Sequence, residues 1–286
     1  MTDPSRSFGK VADAYDRGRP SYPREAVEWL VGAGPKQVLE LGAGTGKLTR
    51  TLVELGHEVF ATDPDDAMLD VLSRNLPEVR ATAGTAEQIP APDQSFDVVI
   101  AGQAYHWFDP ETALPEIARV LKEGGVLGLV WNQRDESIPW VRKLGGIIGK
   151  HVENVDPTHD LESSGFFATP VAETFKFWQQ IDQHSVVDLV LSRSVNLDLS
   201  EEEVAAKRAA TLAFYEDYGR GMDGMKLPYL TYVYRALVTD RPARPAMPTT
   251  LVSTTSSEGG DDTAVRLPRV LDGDDPGTDE LIFSFR

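Results

Sequence analysis

Short apolar runs alternate with amphipathic stretches through the first half of the chain. Runs near 37–41, 58–62, 79–83, 96–101 and 125–131 have the length and β-branched content of buried strands. Between them, apolar residues recur at helical spacing, which predicts helices near 23–32, 46–55, 65–75 and 110–121. The last of these carries a start signal in Asp109 followed by Pro110 and a stop signal in Gly124-Gly125. The second half is less regular. It predicts a helix over 138–150, an alternating strand over 171–181, a short helix near 184–192 capped by Asp182, a helix over 199–217 with Ser200 as its N-cap, and a strand over 228–238.

Strands that alternate with helices imply an α/β protein whose mostly parallel sheet has helices on both faces. Such sheets bind ligands at the carboxyl ends of their strands. The distinctive residues of the chain collect at those ends. The first strand runs into Glu40-Leu41-Gly42-Ala43-Gly44-Thr45-Gly46-Lys47, an acid followed by three alternating glycines and a helix start. Glycine there lets a ligand lie against bare backbone and permits φ > 0. A P-loop is excluded, because its first glycine would fall on Leu41 and its hydroxyl on Leu48. The spacing is G-x-G-x-G, not the G-x-G-x-x-G of dinucleotide sites. Glu40 beside the turn suits a cationic ligand better than a pyrophosphate. The second strand ends in Asp63, placed to accept both hydroxyls of a ribose.

With these residues in view, the chain resembles the class I S-adenosylmethionine-dependent methyltransferases over roughly residues 8–237. It is most similar to the small-molecule branch that holds the ubiquinone/menaquinone-type and trans-aconitate-type enzymes. The matching stretches are Glu40 to Gly46, Asp63 to Leu69, Gly84 to Pro90, Ser95 to Val99 and Gln103 to Asp109. The resemblance implies a Rossmann-like, doubly wound, seven-stranded sheet with an antiparallel edge hairpin and a small helical lid, at about 137–165 and 182–226. It implies S-adenosyl-L-methionine as cofactor. Gly42, Gly44 and Gly46 would pass its methionine part, Glu40 would orient its amino end, Asp63 would hold the ribose, and Met68 would pack on the adenine or else serve as core. Thr85 and Ala86 take the adenine-edge positions. Thr85 departs from the aspartate common there, which leaves the Ala86 amide as the contact. Ala43, Pro64, Gly102 and Gln103 complete the cofactor set. Tyr15 and Arg19, in an N-terminal segment that matches the same branch, would meet the sulfonium and the cofactor carboxylate.

His106 and Tyr105 are the catalytic candidates. His106 either takes a proton from a hydroxyl acceptor or packs as a pocket-shaping ring beside Trp107, and Tyr105 faces the substrate. Trp131 to Asp135 form a further pocket edge. Arg134 or Arg193 would bind a substrate carboxylate, or make salt bridges. His151, His159 and Asp160 do not make a metal site.

Composition narrows the partners. Asp and Glu number 45 against 28 Lys and Arg, a net charge of −17, which opposes nucleic acid and anionic membranes. Cysteine is absent, which removes thiolate ligands and nucleophiles. Met1 to Arg6 show no signal-peptide core and no run of eighteen apolar residues occurs, so a cytoplasmic protein is expected. From Thr239 the chain turns rich in Pro, Ser, Thr, Gly and Asp, which predicts a disordered acidic tail over 239–286 after a methyltransferase domain over 1–238. The expected activity is methyl transfer to oxygen of a small organic acceptor. Its rivals are a cofactor-binding regulator without turnover and a dinucleotide-dependent oxidoreductase. Acceptor identity and oligomeric state are not legible in the residues.

Overall fold

The computed structural model describes residues 16–149, 156–191, 199–219 and 224–242. Tyr15, His151 and Arg193 therefore lie outside the described residues, as does the predicted tail from 243 onward.

Helix α1 (Arg24–Val31) precedes strand β1 (Gln37–Leu41), and α2 (Lys47–Glu54), β2 (Glu58–Asp63), α3 (Asp66–Asn75), β3 (Arg80–Ala83) and β4 (Phe96–Gly102) follow. Then come α4 (Pro110–Val120), β5 (Leu121–Arg134), α5 (Pro139–Ile148), α6 (Thr158–Ser164), β6 (Val171–Ile181), α7 (Gln183–Leu191), α8 (Glu201–Tyr218) and β7 (Met225–Leu237). The strands form one seven-stranded sheet in the order β3-β2-β1-β4-β5-β7-β6. The β1–β2, β1–β4, β2–β3 and β4–β5 pairs are parallel, while β7 runs antiparallel to both β5 and β6. This is the Rossmann-like sheet with an antiparallel edge pair that the pattern and the resemblance predicted. The order reverses between β1 and β4, so a crevice opens at their carboxyl ends.

Two apolar layers support that crevice. Val27 and Leu30 of α1 and Leu48 and Leu52 of α2 pack on Val38, Ile100 and Val130 in the sheet. A second cluster joins α5, α7 and α8 to the ends of β6 and β7 through Leu144, Val186, Phe214 and Tyr229.

Local signals set several boundaries. Ser200 and Glu203 form a capping box at α8, where the Ser200 side chain accepts the Glu203 N–H at 3.3 Å and the Glu203 carboxylate accepts the Ser200 N–H at 2.8 Å. Asp109 caps α4 by accepting the Glu111 N–H. The helix expected over 110–121 spans Pro110–Val120, and the stop is made not by Gly124-Gly125 but by the buried Leu121, which pairs with Phe96 in the sheet. Gly124, at φ +69, then lies in the register break before Val98 pairs with Val126. The last strand begins three residues earlier than expected and contains Pro228. Its ladder to β5 stops at Tyr229, and Pro228 O, which accepts the Asp135 N–H, shows that the missing N–H faces that side, while Pro228 stays paired with Trp178 of β6. Residues 239–242, expected to open the tail, are docked instead: the Thr239 N–H donates to Phe166 O at 2.8 Å and Arg241 Nε to Leu121 O at 3.1 Å. Helix α6 has no counterpart in the predicted elements. Among the described residues no helix is long and apolar enough to cross a membrane.

Candidate active site

The glycine turn joins β1 to α2, and its three glycines, all at positive φ, serve three purposes. A side chain at Gly42 would meet Ala104 Cβ at 2.5 Å, so this position lets the loop after β4 pack on the turn. A side chain at Gly46 would press on Leu72 and Leu76 at 3.0 and 3.1 Å, so this one admits α3. At Gly44 an added carbon meets nothing within 4 Å. Gly44 is therefore the glycine that faces open space.

Two buried acids frame the turn. Asp63 accepts the Gly44 N–H at 2.8 Å with one oxygen and the Asp65 N–H at 2.9 Å with the other. Burial pushes its carboxyl up to about 6 despite both hydrogen bonds. Glu40 is only 1% exposed, and the Thr49 hydroxyl donates to it at 2.6 Å. Burial raises it to about 8; the charge of Asp63 adds to the shift and the Thr49 bond opposes it.

A cleft, partly open to solvent, lies against Glu40 and the glycine turn, and Asp63 is not among the residues that line it. Glu40 and the turn from Gly42 to Thr45 form its floor, with Lys47 at the start of α2. Gly102, Gln103 and Asn132 form its far wall, and Arg19, Pro20 and Tyr22 cover it. The covering strap is tied on several sides. Asp16 pairs with Lys47 at 3.4 Å and accepts from Asn75 at 3.3 Å. Arg17 pairs with Asp188 of α7 at 2.7 Å, and Gln179 of β6 donates to Gly18 O at 3.2 Å. Asn132 donates to Ser21 O at 3.1 Å. Gly102 leaves room for the Tyr22 hydroxyl, which would lie 2.6 Å from an added Cβ.

Gln103 holds φ +60, a left-handed backbone that is uncommon for a side-chain-bearing residue. Two bonds keep it there: its N–H donates to Val130 O at 2.9 Å and its Nε2 to Asn132 O at 2.8 Å. Asn132 Oδ1 in turn accepts the Thr231 hydroxyl at 2.7 Å. Backbone strain of this kind persists where surrounding contacts over-determine it.

Beyond Gln103, residues Tyr105–Trp107 form a 3₁₀ turn. Tyr105 is buried and, like His106, is not among the residues that line this cleft. Its hydroxyl donates to Asp160 of α6 at 3.0 Å, and its ring meets Trp131 and Phe108 edge-on. Burial, then the charge and hydrogen bond of Asp160, hold the phenol well above its usual range. His106 is half-buried, 4.9 Å from the Trp107 ring, and burial lowers its pKa. Its Nδ1 is buried with no hydrogen-bond partner among the described residues. Met68, Pro64, Thr85 and Ala86 are not among the residues that line the cleft; the Gly84 N–H donates to Asp63 O at 3.3 Å and the Met68 N–H to Asp65 O at 3.1 Å.

Sequence reasoning gave Thr49 no role, took Tyr22 only as part of the N-terminal segment over the pocket, and did not pair Asp160 with Tyr105. Thr49 did leave a signal, a hydroxyl between the buried Leu48 and Leu52 on the inward face of α2. Asp160, weighed only as a metal ligand, shows its partner only after folding. His159 beside it is exposed, and among the described residues no group of three acids or histidines could hold a metal ion.

The same architecture recurs in known proteins. The profile of a family described as a methyltransferase domain matches residues 39–129. An uncharacterized methyltransferase of Mycobacterium tuberculosis is 47% identical over 238 residues, which span 82% of this chain and 96% of that protein. A malonyl-[acyl-carrier protein] O-methyltransferase of Serratia marcescens is 33% identical over 126 residues, 42% of this chain and 49% of its own. Among solved structures, phosphoethanolamine N-methyltransferase 2 of Haemonchus contortus, in complex with phosphomonomethylethanolamine and S-adenosylhomocysteine, superposes with a TM-score of 0.50 at 15% identity, over 81% of this chain and 58% of that one; at this identity the likeness is one of fold. Identity sustained across nearly the whole mycobacterial relative, on a sheet of this topology with its glycine turn at the reversal of strand order, places the chain in the class I S-adenosylmethionine-dependent methyltransferases.

Proposed function

We propose that the protein moves the methyl group of S-adenosylmethionine to an oxygen of a small organic acceptor, with the donor held in the cleft under the strap. The residues present fit that donor. The open space at Gly44 exposes backbone for a ligand to lie on. Asp63 keeps lone pairs for ribose hydroxyls after accepting its two amides. Glu40 is a carboxylate on the cleft floor with no ion pair to a cation among the described residues, which suits an ammonium. Arg19, Gly42, Ala43, Gly102 and Gln103 share the cleft and take the methionine part. Pro64, Met68, Thr85 and Ala86 take the adenine, and Gly46 serves by seating α3. When bound, S-adenosylmethionine supplies a methyl carbon activated by positively charged sulfur. The chain's task is to hold the acceptor atom in line, a positional effect worth roughly 7–11 kcal/mol of barrier.

His106 carries the choice of oxygen. Burial keeps its ring neutral at pH 7, and one ring nitrogen is unpartnered among the described residues. A neutral imidazole can take the proton from a hydroxyl as its oxygen becomes the nucleophile. Tyr105, anchored to Asp160, holds the loop that presents His106. The O-methyltransferase of Serratia supports an oxygen acceptor, and the net charge of −17 favours a small molecule over nucleic acid.

A carboxylate acceptor is the second reading, favoured by Arg134. Its side chain is 2% exposed, it makes one ion pair, with Glu136 at 2.8 Å, and its Nε has no partner among the described residues. A carboxylate would need no base. Matched phenol, alcohol, carboxylate and amine compounds, assayed by S-adenosylhomocysteine release, separate these cases. Turnover of hydroxyl compounds should fall about 10²–10⁴-fold in His106→Gln with donor affinity unchanged. Turnover of carboxylates should survive that change and fall in Arg134→Gln. Turnover confined to amines would refute oxygen.

A further inference from the structure

We propose that Glu40 is protonated in the ligand-free protein and releases its proton to solvent when the donor's ammonium enters the cleft, which makes cofactor binding proton-coupled. This rests on the placement of the donor given above.

Glu40 sits inside the sheet, between Ala61 of β2 and Ile100 of β4. The elements packed around it offer no free cation among the described residues. From α2, Thr49 offers a neutral hydroxyl, and Lys47 is already paired with Asp16. From β2 comes Asp63, a second carboxylate. In β4 the one titratable residue, Asp97, is engaged with Lys122 and the Gln37 N–H at the strand's other end. The buried face of α1 is Ala26, Val27, Leu30 and Val31. Arg19 of the strap lines the same cleft, but the causes that shift Glu40 are burial, Thr49 and Asp63. Burial of a carboxylate with a hydroxyl donor, and a like charge nearby, shifts it toward the protonated form.

An ammonium in contact reverses that preference, because opposite charges at close range favour the ionised form. The balance is simple. The Glu40 O–H bond breaks, its electron pair stays on the carboxylate, the proton passes to buffer, and the ligand's ammonium keeps its charge. The same logic gives the direction with pH. Burial lifts the acid to about 8, so the free protein holds the proton at pH 7. Affinity should therefore rise with pH between 6 and 8, by up to about tenfold per unit, and level off above. Asp63, raised to about 6, is mostly ionised at pH 7 and contributes roughly a tenth of a proton.

Calorimetric titration of the full chain with S-adenosylhomocysteine at pH 7, in buffers of different ionisation enthalpy, reads the protons released. The wild type should release about one proton per ligand bound, nearly all of it from Glu40. Glu40→Gln should bind more weakly and release about 0.1. Thr49→Val keeps the acid but removes the bond that opposes protonation, so its half-release pH should move up; this variant and the wild-type pH series decide the matter if Glu40→Gln does not fold. Release near zero in the wild type, or release undiminished in Glu40→Gln, would overturn the proposal. Failure of S-adenosylhomocysteine to bind at any pH would instead defeat the site assignment, and the proposal with it.

Discussion

One carboxylate oxygen of Asp63 accepts the Gly44 N–H at 2.8 Å, so the acid that ends β2 is also a strut of the turn that follows β1. The two strands are neighbours, and the bond fixes the turn before any ligand arrives.

Asp63→Ala should therefore have two effects. The Gly44 and Asp65 amides lose their acceptor, which lowers stability by about 1–3 kcal/mol. Loss of the ribose acceptor weakens S-adenosylhomocysteine by a further ~1.5–3 kcal/mol. Unfolding curves and calorimetry separate the two, and undiminished affinity would place the ribose elsewhere.

The glycines should divide in the same way. Gly46→Ala meets both a left-handed backbone and the leucines of α3, and should cost about 1–3 kcal/mol of stability. Gly44→Ala meets the backbone penalty alone, about 1 kcal/mol, but projects a methyl into the cleft. Its signature should be weakened S-adenosylhomocysteine binding in calorimetry, larger than any loss seen for Gly46→Ala once that variant is folded.

Gly18 tests the strap. An added Cβ would lie 2.4 Å from Leu189 N and 2.5 Å from Asp188 C, and these backbone atoms cannot swing aside. Gly18→Ala should lower stability by about 1–3 kcal/mol and speed proteolysis between 16 and 23. Asp188→Ala removes only the pair with the largely exposed Arg17 and should cost under ~1 kcal/mol. Equal effects would mean that the ion pair, and not the close backbone approach, seats the strap.

The buried acid should also appear in ligand-free stability. Glu40 titrates near 4.5 when unfolded and at about 8 when folded. Below 4.5 both states hold the proton and the shift contributes nothing. As pH rises towards 8 the unfolded chain ionises first, so stability is progressively lost. Urea unfolding between pH 5 and 8 should show Glu40→Gln gaining on the wild type as pH rises. Parallel curves would mean that Glu40 is ionised in the folded protein.

Much of the fold could be read from local pattern. The strands over 37–41 and 171–181 were legible to the residue, as was the Ser200 cap, because side-chain period and a capping hydroxyl act over a few positions. Part of the candidate site was legible too, since glycines after a strand and acids at strand ends mark the carboxyl edge of a parallel sheet. What stops α4 was not legible, because the pairing of Leu121 with Phe96 ends it before the glycines are reached.

By itself, then, the sequence determined the alternation of strands and helices through the first half, the glycine turn and the two acids beside it. Only tertiary structure decided which glycine faces open space, that Tyr105 ties its loop to Asp160 instead of lining the cleft, and that Asp188 and Gln179 reach back to seat the strap. Periodicity and capping are properties of neighbours along the chain. Burial, and with it the pairing or isolation of a charge such as that of Glu40, is created only when distant segments exclude water together.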